Sequence, residues 1–280
     1  MIGAIIGDIV GSCFEFQPIK TKDFPLFSPD SDYTDDSLMT IAVGLALDEA
    51  IAQGKGEDPD FLQSQFTRAM QFIGRAYPNP TGEYGLSFSS WLKADHPQPY
   101  NSWGNGSAMR VSACGERAKS LDQAIFWAKQ SAVVSHNHPD GIKGAEAVAA
   151  AIFLAKEGQS KQAIRAFIQE HFYPDIPSVE AIRPTYSFDP SCQGTVPQAL
   201  AAFFDSADFE DAIRNATSLG GDADTIGAIT GSVAWPFYVR QAGVTRAMSR
   251  MAEEAMGRIP EEFRDFVAGD EAMFGYLYIE

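Results

Sequence analysis

Apolar residues recur along this chain at the three- and four-residue spacing of helices. Over 37–52, the residues Leu38, Ile41, Ala42, Leu45 and Ala46 share one stripe, which predicts a buried helix. Thr34, Asp35 and Asp36 stand at its start, where a hydroxyl cap and negative charge are favoured, and Gly54 lies just past its end. Pro59 opens a second helix that carries Phe61, Leu62, Phe66, Met70 and Ile73. The same period predicts helices over 121–134, 139–156, 161–172, 196–204, 209–218, 224–238 and 244–256. Alternating strand patterns are scarce. The expected fold is all-α, a compact orthogonal multi-helix bundle. Pro- and Gly-rich punctuation at 77–84, 96–106 and 173–194 predicts loops inside one domain covering 1–280. Gly3, Gly7 and Gly11 recur every four residues and predict a smooth helix face that another helix approaches closely.

Composition narrows the function classes. The chain has 280 residues, 45% of them hydrophobic, enough to build a packed core. A formal net charge of −16 argues against non-specific nucleic-acid binding and against adhesion to anionic membranes. It does not exclude an anionic ligand, because bound cations reverse the local field. The first eight residues lack a basic leader and Asp8 interrupts their apolar run, so they read as core and not as a signal peptide. No stretch approaches the roughly 20 apolar residues of a membrane span. Cys13, Cys114 and Cys192 are far apart and form no C-x-x-C pair, which argues against a zinc site or disulfide framework and predicts a reducing, cytoplasmic setting.

The chemistry concentrates in two acidic clusters, Thr34-Asp35-Asp36-Ser37 and Gly220-Gly221-Asp222-Ala223-Asp224-Thr225. Each puts two carboxylates beside a threonine hydroxyl at the start of a helical run. Like charges this close repel, and a hard divalent cation with an all-oxygen shell resolves the repulsion. The bland alternative is helix capping alone, but one cap residue suffices per helix. A calcium EF-hand is excluded by position. Counting from Asp30, the sixth residue is Asp35 instead of glycine and the twelfth is Ile41 instead of glutamate. His136 and His138 leave three readings open: a zinc ligand pair, a general base, or a substrate contact for His136 with helix capping for His138, Pro139 and Asp140.

Five segments, in order, resemble the ADP-ribosylglycohydrolase family, which includes dinitrogenase reductase-activating glycohydrolase. They are Gly3-Ala4-Ile5-Ile6-Gly7-Asp8-Ile9-Val10-Gly11-Ser12 with Glu15, then Tyr33-Thr34-Asp35-Asp36-Ser37, then Gly104-Asn105-Gly106-Ser107-Ala108-Met109-Arg110. His136-Asn137-His138-Pro139-Asp140-Gly141 and Gly220-Gly221-Asp222-Ala223-Asp224-Thr225-Ile226-Gly227 complete the set. The resemblance implies a dinuclear site at helix N-termini. Two Mg²⁺ or Mn²⁺ ions would be held by Thr34, Asp35, Asp36, Asp222, Asp224 and Thr225. It implies Glu15, or a ligand carboxylate such as Asp36, as the group that activates water; Pro18 and Pro25 in the stretch that follows, 16–27, suggest a movable flap. It also implies a substrate loop of Ser102, Trp103, Gly104, Asn105, Gly106 and Ser107, its amides meeting phosphate and Trp103 stacking on adenine or serving as core. His136 would lie near ribose or phosphate; the family more often has threonine at the position of Ser135. Arg110 would pair with phosphate or be buried against an Asp of the metal site. The activity implied is hydrolysis of the N- or O-glycosidic bond between ADP-ribose and an acceptor, on a protein or a small compound. The rivals are a nucleotide phosphohydrolase and a non-catalytic binding or structural relative.

Overall fold

The computed structural model describes residues 1–273, and among these every regular element is helical. In chain order the helices are α1 (Ile2–Ser12), α2 (Asp35–Ala52), α3 (Pro59–Ala76), α4 (Leu86–Lys93), α5 (Ser112–Arg117), α6 (Leu121–Val133), α7 (Pro139–Lys156), α8 (Lys161–His171), α9 (Val179–Ile182), α10 (Cys192–Phe204), α11 (Phe209–Ser218), α12 (Ala223–Ala242), α13 (Arg246–Arg258) and α14 (Glu261–Met273). The all-α expectation holds, and all nine predicted helices are present with ends shifted by a few residues. The helix predicted from Val196 starts instead at Cys192, capped by Ser191, and runs through Pro197. Helices α4, α5, α9 and α14 lie outside the predicted set. No helix among the described residues is long and apolar enough to cross a membrane.

Two helices form the axis. Every residue of α1 is buried, and so is α12 from Ala223 to Tyr238. A helix apolar on all sides belongs at the centre of a core. They meet backbone to backbone. A methyl group added at Gly3, Gly7 or Gly11 would lie 2.3, 1.9 or 2.2 Å from the carbonyl oxygen of Gly231, Gly227 or Ala223. Numbers rise along α1 as they fall along α12, so the pair is antiparallel, and the glycine face predicted from the sequence is the contact itself.

Helices α2, α7, α10 and α11 pack around this axis, and α3, α6 and α8 close the outside. The outer helices are one-sided. Helix α3 buries Leu62, Phe66, Met70 and Ile73, and α13 buries Met248, Met251 and Ala255. Helix α2 buries a wider face than the predicted stripe. Leu45 is partly exposed, and Met39, Val43 and Leu47 are buried with the rest, because α2 meets α1, α3 and α5 at once. The segment expected to move, 16–27, is tied down. Lys20 donates to the carbonyls of Tyr186 and Leu219, Lys22 pairs with Asp211, Arg214 donates to the carbonyls of Lys22 and Phe24, and Phe24 is buried against Phe14.

Gly7→Ala forces a side-chain atom into a backbone carbonyl that has no rotamer to yield. It is expected to cost about 3 kcal/mol, the upper range for overpacking. Gly257, on α13, has nothing within 4 Å of an added methyl, and Gly257→Ala is expected to stabilise by about 0.5 kcal/mol. Urea unfolding of both variants checks the pair; equal effects would mean that the α1–α12 contact is not close.

Candidate active site

The axis brings the two acidic clusters together. Thr34 caps α2 with an extended backbone, and its hydroxyl accepts from the Asp36 amide at 3.1 Å. Asp222 caps α12, preceded by Gly220 and Gly221 at φ of +62° and +130°, values that favour glycine. Thr225 Oγ1 donates to Asp36 Oδ2 at 3.1 Å and joins one helix start to the other. Oxygens of Asp8, Asp36 and Asp224 all lie within 4.8 Å of one another, as do those of Glu15, Asp222 and Asp224. Asp224 belongs to both groups. Asp35 lines the same cavity but stands outside both triples.

Asp8 is the participant that sequence reading passed over. It is fully buried within α1. Its Oδ2 accepts from the amides of Thr34 and Ser37, each at 3.0 Å, and from the Ser37 hydroxyl, while Oδ1 accepts from Thr34 Oγ1 at 2.7 Å. One carboxylate thus fixes the start of α2 from a neighbouring helix. Asn105 does the corresponding job for Asp222. Its Nδ2 donates to Asp222 Oδ2 at 2.6 Å and to Thr195 Oγ1 at 3.0 Å.

The electrostatics are those of crowded, desolvated acids. Burial first, then neighbouring carboxylates, raise Asp35, Asp36 and Asp224 well above the usual range. Burial raises Asp8 to about 6, against the hydrogen bonds from Ser37 and Thr34. Glu15 rises to about 7 through burial and the charges of Asp222 and Asp8. Burial also raises Asp222. None of the six is ion-paired with Lys or Arg among the described residues. Glu15 Oε2, Asp36 Oδ1 and Asp224 Oδ1 are buried with no hydrogen-bond partner. Buried oxygens left unpaired are costly, and oxygens that converge from three elements without a donor suit a hard divalent cation. No histidine joins either group, so the zinc reading of His136 and His138 has no third ligand among the described residues.

Glu15, Asp35, Asp36, Asp222 and Asp224, with Thr225, line a cavity of about 480 Å³, within the range of small-molecule sites. Its other walls are Gly82–Phe88, Tyr100, Ser102, Gly104–Gly106, Met109, Arg110, His136, Phe188 and Pro190. The loop expected to cradle phosphate is partly engaged already. The Gly104 amide donates to Ser102 Oγ and the Asn105 amide to the Pro190 carbonyl. Only a single 3₁₀ turn, Asn105–Ser107, follows it. Ser107 is buried and donates to the Gly141 carbonyl, so it braces the loop from behind. Trp103 is 53% exposed, outside the cavity wall, with its edge against His138. The expectation that Trp103 is core therefore fails. Arg110 is fully buried, as expected, but its fork meets Ser131 and Ser135 and no Asp. His138 caps α7 through Nδ1, with Pro139 at the first helical position, as predicted.

A family model described as ADP-ribosylglycohydrolase matches residues 1–234. Over 93% of its length, the chain is 23% identical to ADP-ribosylarginine hydrolase Tri1 of Pseudomonas putida (strain GB-1), covering 78% of that protein. ADP-ribosylhydrolase ARH3 of Xenopus tropicalis is 27% identical over 57% of this chain and 50% of its own length. A solved structure named ADP-ribosylglycohydrolase-related protein complex has a TM-score of 0.64 at 22% identity, covering 98% of this chain and 94% of that one. That likeness shows the fold.

The raised acids make stability depend on pH with a definite sign. The folded protein holds protons that the unfolded chain releases near 3.8 for Asp8 and 4.5 for Glu15. Their contribution is present below those values and is lost as pH rises through about 6 and about 7. In chelator, Tm is expected to fall across this window. Added Mg²⁺ or Mn²⁺ is expected to restore it at neutral pH. Scanning calorimetry across pH checks this; a Tm indifferent to cation at neutral pH would sink the metal assignment.

Proposed function

Because the chain belongs to the ADP-ribosylglycohydrolase family, whose members hydrolyse glycosidic bonds, we propose that it is a divalent-cation-dependent hydrolase that releases ADP-ribose from an ADP-ribosylated acceptor. The observation that carries this reading is the pair of carboxylate triples sharing Asp224, with three buried oxygens left without donors. In this reading Asp36, Asp222 and Asp224, with Thr34, Asp35 and Thr225, hold two Mg²⁺ or Mn²⁺ ions. Asp8 and Glu15 add the carboxylates that complete the triples. When bound, the cations supply charge neutralisation and Lewis acidity toward hydroxyl and water oxygens.

The residues do the rest. Glu15 stands at the edge of the cluster, half-buried, and its Oε2 is free of any hydrogen-bond donor. From that position it takes the proton of the attacking water. Asp36 keeps one oxygen on Thr225 and presents the other to the cavity as the second candidate for that role. The surrounding carboxylates stabilise the positive charge of an oxocarbenium-like transition state. The wall of Ser102, Gly104–Gly106, Arg110 and His136 receives the diphosphate-bearing part of the ligand. No nucleophilic Ser or Cys is needed.

For the acceptor we favour arginine. The relatives named ADP-ribosylarginine hydrolase span nearly the whole chain, whereas the match to ADP-ribosylhydrolase ARH3 covers about half of it. Three free cysteines, two of them buried, suit the reducing cytoplasm.

Incubation with a mono-ADP-ribosylated arginine peptide is expected to release ADP-ribose with Mg²⁺ or Mn²⁺ and nothing with chelator. Asp222→Ala/Asp224→Ala is expected to lower the rate by about 10³-fold or more, the scale of several kcal/mol of lost charge stabilisation. Serine-linked and O-acetyl substrates run alongside decide the linkage. AMP or phosphate as product would replace this reading with phosphohydrolysis; binding without turnover on every substrate would replace it with a binding role.

A further inference from the structure

Arg110, Ser135 and His136 form a chain of hydrogen bonds at the cavity wall, and chemistry alone sets its direction. Arg110 is fully buried, its Nη2 donating to the Ser131 carbonyl at 2.6 Å and to Ser135 Oγ at 3.0 Å, and its Nε to Ser131 Oγ at 3.3 Å. The Ser131 carbonyl is one of the last four of α6, which lack partners within the helix and form its partially negative end. That end compensates the buried cation.

A guanidinium can only donate, so Ser135 Oγ accepts from Arg110. The other partner of that hydroxyl is His136 Nδ1, at 2.8 Å. If Nδ1 carried a proton, Ser135 Oγ would face two donors, and its own proton would be stranded in a site with no exposure. Nδ1 therefore accepts. A neutral imidazole then carries its proton on Nε2. Burial and the Arg110 charge both oppose a second proton on the ring.

The Nε2 edge faces a gap that only glycine leaves. A methyl group at Gly106 would come within 3.1 Å of Nε2, and one at Gly104 within 3.6 Å. Tyr100 and Phe88 flank the ring, with centroids at 5.5 and 6.3 Å. Arg110 Nη1 is buried without a partner, and Arg110 lines the same cavity.

We propose that Arg110 is a positioning residue that acts through Ser135 to hold His136 as a neutral Nε2–H donor, aimed across Gly104–Gly106 at an acceptor oxygen of the ligand. This rests on the reading of the cavity as an ADP-ribosyl site. It also removes His136 as a general base, since Nδ1 is occupied and Nε2 already bears the proton.

Nitrogen-15 NMR of histidine-labelled protein tests it, with His136→Gln assigning the resonance among the four histidines. Ligand-free wild type at neutral pH is expected to show His136 as the pure Nε2–H tautomer. Ser135→Ala is expected to mix the tautomers and raise KM about tenfold, the worth of one hydrogen bond, with kcat little changed. Ser135→Thr, which keeps the hydroxyl, is expected to restore both. An Nδ1–H tautomer or an imidazolium in wild type would overturn the proposal. So would Ser135→Ala protein with unchanged tautomer and KM. Should wild type bind no ADP-ribose, the functional reading falls, and the tautomer measurement, which needs no ligand, still decides the relay.

Discussion

The molecule depends on one contact, the backbone-to-backbone crossing of α1 and α12 through Gly3, Gly7 and Gly11 on one side and Gly231, Gly227 and Ala223 on the other. A side chain at Gly3, Gly7 or Gly11 would hold the axes apart by the thickness of a methyl group or more. The contact is also the ruler of the site. Asp8 follows Gly7, and Asp224 follows Ala223, so each carboxylate stands beside a contact position. Their carboxylates meet because the glycines meet. Asp8 in turn anchors Thr34 and Ser37 at the head of α2, so the Thr34–Ser37 cluster takes its place from the first helix. Apolar packing surrounds this arrangement and does not by itself specify it.

The carboxylates run against ordinary folding physics. Six acids crowd one end of the axis, and four of them, Asp8, Asp36, Asp222 and Asp224, are buried. They cost desolvation and repel, and no basic side chain pairs with them among the described residues. Natural chains break local rules of this kind at functional sites and compensate elsewhere. Here the compensation is visible in part: two helix N-termini point at the cluster, Asn105 donates to Asp222, and hydroxyls of Thr34, Ser37 and Thr225 reach Asp8 and Asp36. These donors satisfy one oxygen of Asp36 and leave the other bare. The oxygens left bare suit a hard divalent cation.

Much of this was legible from sequence, for reasons that also explain the rest. Periodicity reveals helices with a single buried stripe, and Thr34-Asp35-Asp36 and Asp222–Thr225 stand out because their charges are adjacent in the chain. Asp8 looked like an interruption of an apolar run. Its partners lie 26 and 29 residues away, and only the fold joins them. Asn105, read as a substrate contact, donates to an acid 117 residues distant. Ser107 and Trp103 carry the right chemistry for a ligand, but one is turned into the core and the other outward, and which way a loop side chain faces has no periodic signal. The same holds for 16–27, whose prolines suggest a flap while Lys20, Lys22 and Arg214 tie it to distant carbonyls and to Asp211.

The distribution of charge explains how a chain of net charge −16 can hold an anionic ligand. Whole-chain charge acts at long range and is screened within about 8 Å at physiological salt. Within the cavity the field is set by nearby groups. Arg110 keeps its charge although burial lowers it to about 10, because the end of α6 and two serines solvate it in place of water. Its hydrogen-bond partners are neutral, a helix carbonyl and two serine hydroxyls, and its Nη1 has no hydrogen-bond partner. In the proposed function, the acids would face cations and a sugar, while the glycine loop, Arg110 and His136 would face phosphate. Separation of the two signs within one cavity would then give the ligand a single orientation, with the anomeric carbon at the acidic end.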